Sequence, residues 1–142
     1  MSTVSEPFPS STILIVEDEV FVALDIERVV MDSGYAVRGI AMDREEAMGL
    51  AGGCALALVD INLRDGRTGP SIAADLHEQF GVRSVFVTAN PSQIGTPPPG
   101  ALGYVCKPFD SHMLQSAIEW ALGDGHNEPA NDAVVPLMRI SD

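Results

Sequence analysis

Thr12-Ile13-Leu14-Ile15-Val16-Glu17-Asp18-Glu19 is an unbroken β-branched and apolar run that stops abruptly in three acids. It shows no alternation of apolar and polar residues, so neither face of such a strand meets water, and strands buried on both faces belong mostly to parallel sheets. Ala55-Leu56-Ala57-Leu58-Val59-Asp60 repeats the signature, again closed by an acid. Between the two runs, Val22, Ile26, Val29 and Val30 recur at helical spacing from Val20 to Ser33, and Gly34 is a natural helix stop. The chain therefore begins with a strand, a helix and a return to a strand.

The same rhythm continues to residue 122. Ala36 to Ile40 reads as a second strand, and Asp43 caps a helix that carries Glu45, Glu46, Ala47, Met48 and Leu50 before Gly52-Gly53. After the third strand a helix runs from about Pro70 to Phe80, with Ile72, Ala73, Leu76 and Phe80 inward. Ser84 to Thr88 and Leu102 to Cys106 supply strands four and five, and Asp110 caps a last helix through Met113, Leu114, Ala117, Ile118, Ala121 and Leu122. Strict alternation of this kind predicts an α/β fold: a doubly wound, five-stranded parallel sheet of order 2-1-3-4-5, flavodoxin-like, with right-handed crossovers. Pro91, Gly95, Pro97, Pro98, Pro99 and Gly100 cannot sustain a helix, so the fourth helix is expected to be short or missing.

Composition narrows the function. The chain has 142 residues, 46% hydrophobic, and 8 Lys+Arg against 20 Asp+Glu give a net charge of −12. Such a surface repels polyphosphate and anionic lipid, so neither nucleic acid nor a membrane is an expected partner. No apolar run approaches the ~18–20 residues of a membrane helix, and the acidic start lacks the pattern of a signal peptide, which points to the cytoplasm. Cys54 and Cys106, with His77, His112 and His126 scattered, show neither zinc spacing nor a disulfide framework. The histidines are expected on solvated surface, and Met31, Met42, Met48 and Met113 as core filler. Residues 1–10 read as a flexible start, 11–123 as the domain, and 124–142 as a tail that is either disordered or a docking arm. That tail is polar at first, then apolar at Val134, Val135, Leu137, Met138 and Ile140.

In a doubly wound sheet the functional crevice lies beyond the carboxyl ends of the strands. Glu17 and Asp18 follow the first strand, Asp60 closes the third, Thr88 the fourth, and Lys107-Pro108 follow the fifth. Three crowded carboxylates raise one another's pKa unless a cation joins them, which calls for a hard divalent ion, most naturally Mg2+. Lys107 adds an ammonium and is the only lysine, the other seven basic residues being arginine. A carboxylate nucleophile, a hydroxyl, an ammonium and a divalent ion suit phosphoryl transfer onto the carboxylate.

With Ile15-Val16-Glu17-Asp18-Glu19, Leu58-Val59-Asp60-Ile61-Asn62, Val87-Thr88-Ala89 and Gly103-Tyr104-Val105-Cys106-Lys107-Pro108-Phe109 in this order, the chain resembles the receiver domain of two-component response regulators over about residues 11 to 123. The resemblance implies that Asp60 accepts a phosphoryl group from the phosphohistidine of a sensor histidine kinase or phosphotransfer protein. It implies that Asp18, Asp60 and the backbone carbonyl of Asn62 bind Mg2+, with Glu17 acting largely through a metal-bound water. Lys107, the Thr88 hydroxyl and the Ala89 backbone N–H would hold phosphoryl oxygens, Thr88 and Tyr104 would form a switch, and Pro108 would follow a cis peptide bond. Arg64 departs from the usual proline, Gly69 lies one residue farther from Asp60 than the usual glycine, and the Thr88–Lys107 span is shorter than in typical receivers. The shortened span is similar to that of receivers in alphaproteobacterial stress regulators and their stand-alone relatives.

The expectation is thus a single-domain response regulator: a signalling module rather than an enzyme, acting through phosphorylation-dependent binding of a downstream protein or as a phosphate sink, with a homodimer as one arrangement. The rival reading is a Mg-dependent aspartyl-phosphate-type phosphatase. Such enzymes need a second acid two residues after the nucleophile, where this chain has Asn62.

Overall fold

Ile13, Leu14, Ile15 and Val16 are fully buried, and so are Leu56, Ala57, Leu58 and Val59, because the two runs lie side by side in the middle of a sheet. The computed structural model describes residues 11–123, 129 and 133–137. Its elements follow in the order β1 (Thr12–Val16), α1 (Val20–Asp32), β2 (Ala36–Ala41), α2 (Arg44–Leu50), β3 (Leu56–Val59), α3 (Gly69–Phe80), β4 (Arg83–Thr88), β5 (Ala101–Cys106), α4 (Ser111–Leu122) and β6 (Val135–Pro136). The sheet order is β2-β1-β3-β4-β5-β6. Strands β1 to β5 are parallel throughout, in the doubly wound order expected from the alternation.

Each face of the sheet carries its own core. On one side Ile13, Ile15, Leu58, Val85 and Val105 pack under α1 and α4 through Ile26, Val30, Leu114 and Ile118. On the other, Leu14, Val16, Val59 and Phe86 pack under α2 and α3 through Ala47, Ile72 and Leu76. Period-two alternation is invisible in the sequence because both sides of every central strand are apolar. The caps are where the sequence placed them: Asp43 accepts from the Glu46 N–H at 3.0 Å and Asp110 from the Met113 N–H at 2.8 Å, each worth about 1 kcal/mol.

Four expectations are corrected. The sheet has a sixth strand: β6, from the tail, pairs antiparallel with β5. Phe80, at the end of α3, is 40% exposed, and Met31, on the outer face of α1, is 58% exposed. His77 is half-buried beneath the backbone of Gly100, where an added Cβ would lie 2.6 Å from the imidazole ring, so it is not a solvated residue. The fourth helix, by contrast, is missing as expected: a 3-10 turn at Pro91–Ile94 takes its place, and Ile94 joins the α2/α3 core. Residues 1–10, His126, Met138 and Ile140 lie outside the described residues.

Candidate functional site

Register alone brings the acids together. Val16 pairs with Val59, and the Asp60 N–H donates to the Val16 carbonyl at 2.9 Å, so Glu17 and Asp60 emerge side by side at the carboxyl end of the sheet. One carboxylate oxygen each from Glu17, Asp18 and Asp60 lies within 4.8 Å of the others. Thr88 pairs with Cys106 at the neighbouring strand ends, and the next residue, Lys107, donates its N–H to the Thr88 carbonyl at 2.9 Å. The Lys107–Pro108 peptide bond is cis.

Lys107 joins the two halves. Its Nζ donates to Glu17 Oε1 at 2.9 Å and to Asp60 Oδ2 at 3.0 Å. The other Asp60 oxygen, Oδ1, accepts from the Ile61 N–H at 2.7 Å, and Glu17 Oε2 accepts from the Glu19 N–H at 3.1 Å. Burial pushes the Glu17 carboxyl above its ordinary pKa, opposed by the Lys107 and Glu19 hydrogen bonds and reinforced by the Asp60 charge. Burial acts to lower the Lys107 pKa, but its hydrogen bonds to Glu17 and Asp60 outweigh it and hold the ammonium above the ordinary lysine value.

Three carboxylates against one ammonium leave an excess of two negative charges around largely buried oxygens. The donor set is all oxygen and anionic, which fits a hard divalent cation such as Mg2+. Thr88 is fully buried, its Oγ1 accepting from the Asn90 N–H at 3.0 Å, and Ala89 is exposed at the rim. Tyr104 stands apart from this group: it lies on β5, half-buried against the α2/α3 core, three residues before Lys107. Beside Lys107 a cleft of about 500 Å3 opens between the start of α1 and the β5–α4 loop, walled by Phe21, Val22, Ala89, Pro108 and Phe109.

The loop after Asp60 is held from two directions. Gly69 opens α3 against it so closely that a Cβ would lie 2.1 Å from the Asp60 carbonyl oxygen and 2.6 Å from Ile61 Cα. Its own N–H donates to the Ile61 carbonyl at 3.0 Å. Arg64 pairs with Asp43 at 2.6 Å and Glu46 at 3.2 Å, Arg44 pairs with Asp75, and the Arg44 N–H donates to Asp65 at 3.1 Å. The Arg64 and Asp65 contacts lash the loop to α2 and the Arg44–Asp75 pair ties α2 to α3, giving Arg64 a task that a proline could not perform.

Gln93 was not legible as a site residue. Its Oε1 accepts from Asn62 Nδ2 at 2.8 Å, bridging the β3–α3 loop and the 3-10 turn two residues beyond Asp60. Only the proline that starts this turn hinted at it. Gly69→Ala is expected to cost about 1–3 kcal/mol, because the new methyl meets backbone rather than a flexible side chain. Urea unfolding checks this, and an unchanged midpoint would mean that the loop yields freely.

Known proteins share this fold. The chain is 37% identical over 119 residues to the phyllosphere-induced regulator PhyR of Methylorubrum extorquens, a match covering 80% of this chain and 44% of that protein. It superposes on the receiver domain of the PhyR response regulator of Erythrobacter litoralis with a TM-score of 0.74 and 31% identity, covering 86% of this chain and 97% of that domain. A double mutant of the anti-anti-sigma factor PhyR from Bartonella quintana gives a TM-score of 0.71 at 32% identity, covering 84% of this chain and 51% of that one. The chain thus spans about half the length of the full-length regulators it matches. No protein-family model matches it.

Proposed function

The chain belongs to the receiver domains of response regulators, and on that premise we propose that Asp60 accepts a phosphoryl group from the phosphohistidine of a histidine kinase or phosphotransfer protein. The observation that carries the reading is Asp60 itself: a strand-end carboxylate, 8% exposed, fixed at one oxygen by the Ile61 N–H and at the other by Lys107, and crowded by two further acids. An oxygen of Asp60 forms the bond to phosphorus as the phosphorus–nitrogen bond to the donor imidazole breaks, and the departing imidazole takes up a proton. Lys107, already poised between Glu17 and Asp60, turns to the incoming phosphoryl oxygens. The Thr88 hydroxyl and the Ala89 N–H bind the same oxygens from the neighbouring strand end.

Mg2+ would be held by Asp18, Asp60 and the Asn62 carbonyl, with Glu17 behind a bound water, and when bound it would supply the positive charge that lets a phosphate approach three carboxylates. The cleft walled by Phe21 and Phe109 leads to Lys107 from solvent and gives the donor its approach. Thr88 and Tyr104 are the proposed switch, reporting the state of Asp60 to the β5 side of the domain. The output is binding of a downstream protein or storage of phosphate. The anti-anti-sigma name borne by the Bartonella quintana relative favours protein binding. Among the described residues no helix is long and apolar enough to cross a membrane, and the charge of −12 supports a cytoplasmic protein partner over a nucleic acid.

The phosphatase reading lacks its leaving-group acid, since Asn62 occupies that place and its amide is engaged by Gln93. Incubation with acetyl phosphate followed by intact-mass measurement tests the proposal. Uptake of one phosphoryl group is expected with Mg2+ and not with a chelator, and Asp18→Ala is expected to lose it by removing a direct ligand. Equal uptake in all three samples would overturn the metal assignment.

A further inference from the structure

Strand β5, Ala101-Leu102-Gly103-Tyr104-Val105-Cys106, would be the last strand of the parallel sheet, and it carries none of the usual edge guards: no charge and no proline. The tail supplies the guard. Val135 pairs with Tyr104 and Pro136 with Gly103, and the Leu137 N–H donates to the Leu102 carbonyl at 3.0 Å. Val134 inserts into the α1/α4 core at 2% exposure while Leu137 packs against the α2/α3 core, so the segment clips both faces of the sheet at its edge. Gly103 is shaped to this contact: a Cβ there would lie 2.6 Å from the Val135 carbonyl oxygen, 3.1 Å from Trp120 and 3.2 Å from Val134.

The seat is well formed, yet its occupant is slight, with two paired residues, and Pro136 offers no N–H to extend the ladder. We propose that the β5 edge is a docking surface for an extended apolar segment of a partner protein, and that residues 133–137 are the chain's own stand-in, masking it. The chemistry of the partner is read from the stand-in: main-chain pairing antiparallel to β5, a β-branched side chain packed beside Gly103 in the place of Val134, and an aliphatic residue three positions later in the place of Leu137. None of these contacts touches Asp60, so the inference stands independently of phosphoryl transfer.

The test uses the full chain carrying Val134→Asp, which places a charge in the apolar slot, and a synthetic peptide of residues 131–140 as the probe. The Leu137 amide is expected to be protected from hydrogen exchange in the wild type and to lose that protection in Val134→Asp. The peptide should bind Val134→Asp at least about tenfold more tightly than it binds the wild type, where the tethered segment competes at high effective concentration. Adding Gly103→Val should abolish peptide binding, with the far-UV circular dichroism spectrum and a cooperative urea transition showing that each variant is folded. A Leu137 amide exchanging at the open-chain rate in the wild type overturns the proposal, as does failure of Val134→Asp to bind the peptide. Dimerisation of Val134→Asp without peptide uptake would also overturn it, by assigning the edge to a second copy of the chain.

Discussion

Asp60→Asn is expected to gain no phosphoryl group from acetyl phosphate and Mg2+, while the wild type gains one whose linkage resists acid and is cleaved by base and hydroxylamine, as an acyl phosphate should be. The effect is total because the substitution removes the nucleophile and leaves its surroundings in place. The amide oxygen can still accept from the Ile61 N–H, and Lys107 keeps its bond to Glu17. Removing one of three crowded carboxylates also lowers their mutual repulsion, so thermal stability should hold or rise. Intact-mass spectra of the two proteins, before and after hydroxylamine, check both statements. Equal labelling of wild type and Asp60→Asn would remove Asp60 as acceptor.

Lys107→Ala is expected to cost about 3–5 kcal/mol at neutral pH, the range for breaking a buried ion pair from one side. The Glu17 side chain is 1% exposed and Lys107 is 17% exposed, so solvent cannot readily replace the lost ammonium. The pH dependence has a definite sign. Glu17 already has a raised pKa in the folded chain, so the stability tied to its protonated form is present at low pH and lost as pH rises through that pKa. Deleting Lys107 removes an interaction that pulls the Glu17 pKa down, pushing it higher and widening the window in which the carboxylate harms the fold. The deficit should therefore be largest near neutrality and shrink as pH falls. The wild-type contribution of Lys107, whose own pKa is raised, persists through neutral pH and is lost only as pH rises through that value. Urea unfolding at a series of pH values measures this, and a pH-independent deficit would contradict it. Lys107→Arg should not restore phosphorylation-dependent partner binding, because a planar guanidinium is wider than a seat that holds one nitrogen 2.9 and 3.0 Å from two carboxylates.

The sheet was legible because its central strands are apolar on both sides and close in acids. Thr12–Val16 and Leu56–Val59 could hardly be anything but buried parallel strands, and their ends place Glu17 and Asp60 beside each other by register. The proline-rich span before Ala101 likewise announced a missing helix through backbone chemistry alone. What escaped depends on contacts between segments distant in sequence. Nothing local to Val135-Pro136 marks a strand, since a two-residue pairing becomes visible only once β5 is known to be an edge. Gln93 is an ordinary polar residue until the 3-10 turn carries it to Asn62. His77 sits on a helix whose outer face would be solvated if Gly100 did not lie over the ring. Phe80 and Met31 fit the helical spacing but fall beyond the area of sheet that their helices cover.

Lys107 is the chain's single lysine, and the structure turns that compositional accident into an analytical handle. Apart from the amino terminus, an amine-selective acylating reagent has one target, and that amine is clamped between two carboxylates with its proton held tightly. Its labelling rate is then a clock for the ion pair: slow while Glu17 and Asp60 grip it, changed whenever either lets go. The bond following Lys107 leads into proline and resists trypsin, so digestion leaves the region from residue 84 to Arg139 as one fragment carrying Thr88 and the label, while Asp60 travels separately between residue 45 and Arg64. Occupancy of the carboxylate and freedom of the ammonium can thus be weighed side by side in a single digest.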